Sequence, residues 1–162
     1  MEHDFNFQGI LMVRFNSYFN KYKKISNGTI ESFLRLNSIR PTRQRVMLVD
    51  ILASEKESHF TVSDIFQKTA KRGLKMATGT IYNSLNKFKN KGLIKEVVID
   101  SEHRFYDTNT GSHHHFYLEE ENRLIDIDSK SIKLKKIPFL PKNKEVSGID
   151  IVIRLEQKSY KE

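Results

Sequence analysis

Three histidines stand in a row, His113-His114-His115, in a chain that contains no cysteine. Read as a strand, successive side chains alternate between faces, so His113 and His115 share one side and His114 takes the other. Asp107 precedes the run and Asp126 follows it. Two imidazoles on one face with flanking carboxylates form a nitrogen-and-oxygen ligand set suited to first-row metals such as iron, manganese or zinc. The alternative is a solvated polar strand whose histidines bind nothing. Catalysis by the same cluster, as in a metal-dependent hydrolase, would need an open coordination position and a placed base. No His-Glu-x-x-His motif is present to supply them.

The chain has 162 residues, 38% of them apolar, with eleven Phe, enough for one domain or two small ones. A net charge of +8 and a pI near 9.6 fit an anionic partner, either nucleic acid or a membrane surface. The missing cysteines exclude disulfides, thiolate zinc sites and cysteine nucleophiles. No apolar run is long enough to span a bilayer, and the N-terminus lacks the charged start and cleavage site of a signal peptide. A cytoplasmic, soluble protein with no membrane partner is the expectation.

Several elements must position these residues. In residues 1–27, an N-terminal extension, Leu11, Phe15, Tyr18 and Tyr22 recur at helical spacing and allow a short amphipathic helix. Residues 28–108 open with helical patterns: Ile30, Phe33, Leu34 and Ile39 form one stripe, and Val46, Val49, Leu52 and Ala53 the next. A third helix starts at a capping-box-like Thr61-Val-Ser-Asp64, turns Val62, Ile65, Phe66 and Ala70 inward, and stops at Gly73. A fourth runs from Ala77 to about Lys91, with Gly92 as its stop. Strands over Leu93–Ile99 and Arg104–Asp107 then turn at Asp100-Ser101-Glu102. Short helices followed by a hairpin are the outline of a winged helix-turn-helix.

The charge distribution agrees. Seven basic residues and no acidic one lie between Lys71 and Lys95. On the fourth helix Ile81, Leu85 and Phe88 face the core, leaving Thr80, Asn83, Asn86, Lys87 and Asn90 outward. Amides and hydroxyls flanked by lysine are the groups that reach base edges and phosphates in a major groove. Arg40, Arg43 and Arg45 cluster at the start of the second helix, to contact phosphates or to pair with Asp50 or Glu55.

Residues 109–162 differ in character. Five carboxylates gather between Glu119 and Asp128, and the pattern turns to alternation. His113–Glu119 and Arg123–Asp128 read as a hairpin across Glu121-Asn122, and a basic stretch, Lys130 to Lys136, leads to Pro138 and Pro141. Ile149, Ile151, Ile153 and Leu155 mark a last strand at period two. Three strands bury little alone, so a second copy of the chain is the natural cover. The fold class expected is α+β, a winged helix-turn-helix followed by a small α/β dimerisation domain.

Arg40-Pro-Thr-Arg-Gln-Arg45, Ala77-Thr-Gly-Thr-Ile-Tyr-Asn-Ser-Leu-Asn86, Asp107-Thr-Asn, His113-His-His115 and the Ile149–Leu155 strand, in this order, resemble the ferric uptake regulator family of bacterial repressors, and within it the iron-response regulator branch. The resemblance spans about Arg40 to Lys158. It implies a homodimer that binds a palindromic operator in double-stranded DNA, with Arg43, Thr80, Tyr82, Asn83, Asn86 and Lys87 at the DNA, and no enzymatic activity. It also implies a regulatory metal held by His59, Asp107, His113, His115 and Asp126, tying the DNA-binding half to the dimer half. For the iron-response branch it implies haem sensing at His113, His114 and His115, and a haem-delivering protein as a further partner. The cofactor is then iron or haem, with manganese or zinc as other ions for the His/Asp site. A peroxide sensor, in which bound iron oxidises His59 or His113, is the alternative within the family.

Departures from the family pattern carry information. Leu118 and Glu121 occupy the positions of a first Cys-x-x-Cys pair, so the structural four-cysteine zinc is not expected. A Cys-Pro haem motif is missing, and Lys133 replaces a metal-binding Glu. Asn83 follows Tyr82 where many relatives have Arg, which implies a different operator.

Overall fold

A computed structural model describes residues 26–55 and 58–157. The amphipathic pattern anticipated around Leu11 to Tyr22 lies outside the described residues. Helix α1 (Asn27–Leu36) starts at Ser26, whose hydroxyl accepts the Thr29 N–H, and buries Ile30, Phe33 and Leu34. Helix α2 (Arg43–Ser54) is capped by Thr42 and buries Val46, Leu48, Val49, Ile51 and Leu52. A two-residue strand, β1 (His59–Phe60), leads into α3 (Val62–Lys71). Helix α4 (Thr78–Asn90) follows, then β2 (Lys95–Val98) and β3 (Arg104–Asp107).

The entry to α3 is a complete capping box. The Thr61 hydroxyl accepts the Asp64 N–H at 3.1 Å, and the Asp64 carboxylate accepts the Thr61 N–H at 2.7 Å. Aspartate does here what glutamate usually does, because its shorter arm still reaches the cap. The helix buries Ile65 and Thr69, not the full expected stripe: Phe66 is 46% exposed and Ala70 is also at the surface. The stripe runs one position round the helix from the apolar spacing, and the Thr69 hydroxyl is accommodated by donating to the Phe66 carbonyl at 2.7 Å. Gly73 and Gly92, just past α3 and α4, have φ of +71° and +65°, the left-handed conformation that ends a helix at little cost only for glycine.

The helices close around one core in which Phe33, Leu48, Ile65, Ile81, Leu85 and Phe88 are almost fully buried. Beside it lies a three-stranded antiparallel sheet in the order β1-β3-β2. Central β3 buries Phe105 and Tyr106 on opposite faces, and Tyr106 joins the core, stacking on Phe60 at 5.8 Å between ring centroids. Helices α3 and α4 with the β2–β3 hairpin form the winged helix-turn-helix.

The chain divides between Thr110 and Gly111. The second unit is a sheet in the order β5-β4-β6, from β4 (His113–Leu118), β5 (Arg123–Asp128) and β6 (Val152–Leu155). Strands β4 and β5 form the anticipated hairpin, with Asn122 at φ +45° in the turn, and β6 lies parallel to β4. The α+β class holds for the chain. Among the described residues, this unit adds to its sheet only a one-turn 3-10 helix at Ser129–Ser131. Its buried apolar residues are few, namely Tyr117, Leu124 and Ile127, while Ile153 and Leu155 remain 38% and 40% exposed. No helix among the described residues is long and apolar enough to cross a membrane.

Replacing Thr61 by Ala removes the hydroxyl that accepts the Asp64 N–H and donates to the Asp64 carboxylate, and should destabilise the first unit by about 1 kcal/mol. Urea unfolding followed by far-UV circular dichroism checks this, and an unchanged midpoint would show that Asp64 alone holds the helix start.

Candidate functional site

In the first unit, the antiparallel register sets His59 directly opposite Asp107. The His59 Nε2 lies 3.7 Å from Asp107 Oδ2, too long for a good hydrogen bond but close enough for both atoms to approach one cation. Asp107 is fully buried, and its Oδ1 accepts the Asn109 N–H at 2.7 Å, which orients the carboxylate. A buried carboxylate needs charge compensation, and a protonated imidazole or a metal ion supplies it.

In the second unit, β4 separates the histidine run as alternation requires. His113 and His115 lie on one face, both buried, with their Nε2 atoms 3.0 Å apart. Asp126, paired opposite His115 on β5, brings Oδ1 to 3.5 Å from His113 Nε2 and 3.9 Å from His115 Nε2. The Gly111 carbonyl lies 2.9 Å from His113 Nδ1. A carbonyl only accepts, so Nδ1 carries the proton and neutral His113 presents a lone pair at Nε2. Two imidazole nitrogens and one carboxylate oxygen therefore converge, with at least one nitrogen held in its metal-binding tautomer. The donor chemistry fits a first-row divalent ion.

His114 turns to the opposite face, across from Ile127. It is buried, and its Nδ1 has no hydrogen-bond partner among the described residues. The three histidines grouped by sequence thus divide two and one.

The expected nucleic-acid face is present on α4. Ile81, Leu85 and Phe88 point into the core, while Tyr82, Asn83, Asn86, Lys87 and Asn90 are exposed and Thr80 is half-buried. Arg43, at the start of α2, is exposed as well. The cations around this face are not equally available. Lys89 reaches Glu96 of β2 at 2.6 Å, and Arg104 of β3 reaches the same carboxylate at 3.1 Å. Partial burial pushes the Glu96 carboxyl up, but the Lys89 hydrogen bond, the Lys89 charge and Arg104 outweigh it and leave the group below its ordinary range. Arg72 bonds Asp50 at 2.7 Å, and Lys68 bonds Glu55 at 2.7 Å. The acids that stood ready for Arg40, Arg43 and Arg45 are taken by Lys68 of α3 and by Arg72 just past its end, and Arg45 donates to the Arg40 carbonyl at 2.9 Å. Sequence reading missed the role of Glu96, which lies one residue beyond the acid-free stretch; strand alternation from β2 toward α4 was the only available signal.

At the tip of the wing, the Asp100 carboxylate accepts the N–H groups of Glu102 and His103 and lies 2.9 Å from the His103 ring nitrogen Nδ1.

With this geometry in view, comparison with known proteins is decisive. The ferric uptake regulator family profile matches residues 36–153, well over half of the chain. The chain belongs to the ferric uptake regulator family. It is 32% identical over 93 residues to the peroxide-responsive repressor PerR of Staphylococcus epidermidis, a match covering 57% of this chain and 61% of that protein. The chain thus spans about three fifths of the length of the curated relatives it matches. The fold is similar to that of the ferric uptake regulator from Pseudomonas aeruginosa solved with manganese, with TM-score 0.61 and 20% identity over 80% of this chain and 98% of that one. It is also similar to the Francisella tularensis ferric uptake regulator solved with iron, with TM-score 0.59 and 20% identity over 74% and 92% of the two chains.

Backbone and imidazole hydrogen bonds at the wing tip hold the Asp100 carboxyl down at about 2. Because the folded value lies below the ordinary 3.8, the turn's contribution is complete above about pH 4 and is lost as pH falls through about 2. Carboxyl NMR titration should place the Asp100 midpoint far below those of the exposed carboxylates, and Asp100→Asn should remove that titration without unfolding the first unit.

Proposed function

We propose that this chain is a dimeric, DNA-binding transcriptional regulator of iron- or haem-responsive genes, with DNA binding gated at the His/Asp ligands. The observation that carries the reading is the convergence of His113 Nε2, His115 Nε2 and Asp126 Oδ1, with the His113 tautomer set for a metal by the Gly111 carbonyl. His59 and Asp107 supply a second donor pair, on the unit that bears the recognition helix. The reading keeps His59, Asp107, His113, His115 and Asp126 as the ligands of the regulatory metal, the set that the family resemblance implies. The ion contributes a fixed charge and a shared coordination sphere; it is structural and regulatory rather than catalytic. Occupancy then biases the reader toward one arrangement, which is how two separate binding events become linked. Iron is the ion of first choice, with manganese or zinc compatible with the same donors.

The DNA contacts divide by chemistry. Lys87 and Arg43 neutralise phosphates, while Thr80, Tyr82, Asn83 and Asn86 face the bases of a palindromic operator. The half-exposed Ile125, Ile153 and Leu155 are the surface a second copy would cover, so the operator's two-fold symmetry would follow from the protein's. Haem remains part of the reading through His113, His114 and His115, since one neutral imidazole suffices as an axial ligand. His114 would approach it from the opposite face of β4 to the other two. The iron-response branch, a cytoplasmic location and a haem-delivering partner belong to the same proposal. Hydrolysis does not, because the family is one of regulators.

A second reading is favoured by a specific observation, the 32% identity to a peroxide-responsive repressor. There, iron held by the same ligands would direct oxidation by peroxide onto an adjacent imidazole. Iron-dependent addition of oxygen to His59 or His113, seen by mass spectrometry after peroxide treatment, would select this reading over haem sensing.

The double variant His113→Ala, His115→Ala should lose bound metal in elemental analysis and the haem absorbance change on titration; full retention of both would place the sensor elsewhere. Independently, Lys87→Ala should weaken binding to every duplex and make the plot of log affinity against log salt shallower by about one unit. A steep, unchanged slope would remove Lys87 from the DNA face.

A further inference from the structure

Between Lys130 and Lys144 the chain carries six lysines and no acidic residue. Every residue from Lys133 to Lys144 is exposed. The arginines of the same unit are engaged, Arg123 with Glu121 at 2.8 Å and Arg154 with Glu119 at 3.3 Å. None of the six lysines has an ion-pair partner among the described residues, although the acidic hairpin turn Glu119-Glu120-Glu121 belongs to their own unit. An unscreened run of like charge raises the energy of the folded state through self-repulsion, and a polyanionic partner reverses that cost.

Beyond Ser131 the segment is neither helix nor strand, yet its backbone is constrained. Pro138 and Pro141 fix their own φ angles and exclude a continuous helix. Lys144 donates its N–H to the Pro141 carbonyl at 3.2 Å, with Asn143 between them at φ +59°. Ahead of the prolines, Ile132 leaves the one-turn helix with an extended backbone.

We infer that Lys130–Lys144 is a second DNA-binding element, an arm of the pairing unit that grips the phosphate backbone of duplex DNA without reading sequence. The inference rests on the reading of α4 as the sequence reader. Cations tethered to a DNA-binding domain meet the same polymer at high effective concentration, so each lysine adds phosphate contact at little further entropic cost. Lysine suits the role because it acts as a point charge and imposes no bidentate geometry.

The experiment uses the full chain carrying Lys133→Gln, Lys135→Gln and Lys136→Gln together, with the corresponding triple Lys→Arg variant as control. Binding to a random-sequence duplex is measured by fluorescence anisotropy between 50 and 200 mM salt. The glutamine variant should bind on the order of tenfold more weakly at the low-salt end, with a slope shallower by about 2 to 3 units, and the arginine variant should behave as the parent. A parent-like slope in the glutamine variant, beside a shallower one in Lys87→Ala, overturns the arm and leaves the helix reading intact. The reverse pattern supports the arm and removes the helix. Loss of binding to phosphatidylglycerol vesicles with the duplex slope unchanged would assign these lysines to a lipid surface and overturn the inference as well.

Discussion

Strand β3 is the constraint on which the first unit depends. It is the middle strand of its sheet: all four of its residues pair with β2, and Tyr106 and Asp107 pair with β1 as well. Tyr106 anchors it in the core, Phe105 is buried on the other face, Arg104 leans on Glu96, and Asp107 ends it opposite His59. Side-chain direction in a strand has period two, so sliding β3 by one residue would turn Tyr106 away from the core, carry Arg104 into a buried position and part His59 from Asp107 together. The wing, the edge of the core and one pair of candidate ligands therefore share a single register. A defect there cannot be local.

The electrostatics follow a division of labour. A net charge of +8 suits an anionic partner, yet much of the positive charge near α4 is internally balanced. Glu96 holds Lys89 and Arg104, Asp50 holds Arg72, and Glu55 holds Lys68. These exposed or half-exposed pairs contribute little stability, roughly 0 to 1 kcal/mol each. Their larger effect is to set which cations remain available to an outside partner. Lys87 of α4, Arg43 of α2 and the lysines beyond β5 are left outward.

Much of this was legible in the residues, and the exceptions have physical causes. Helix ends could be read because their signals are local: a cap at Thr61, glycines at 73 and 92, an asparagine at the hairpin turn. The alternation that separates His114 from its neighbours could be read because strand geometry fixes it. Phe66 could not, because an apolar residue beside a helical stripe goes in or out according to what packs against it, and here Thr69 took the buried place. The pairings of Glu96 and Asp50 were equally hidden, since they join residues 7 and 22 positions apart through the folded chain. The His59–Asp107 pair is non-local too, and only the family resemblance had brought its members together. The last strand proved shorter than its apolar pattern, with ladder pairing confined to Val152–Leu155.

The bond from His113 to the Gly111 carbonyl has an evolutionary consequence. In many metal sites the second nitrogen of a ligand histidine is held by a carboxylate side chain, which one codon change can delete. A main-chain oxygen is encoded by no side chain, so almost any residue at position 111 could still offer it. The proton placement on this imidazole is thus buffered against genetic drift, leaving surrounding positions free to vary while the ring keeps its orientation.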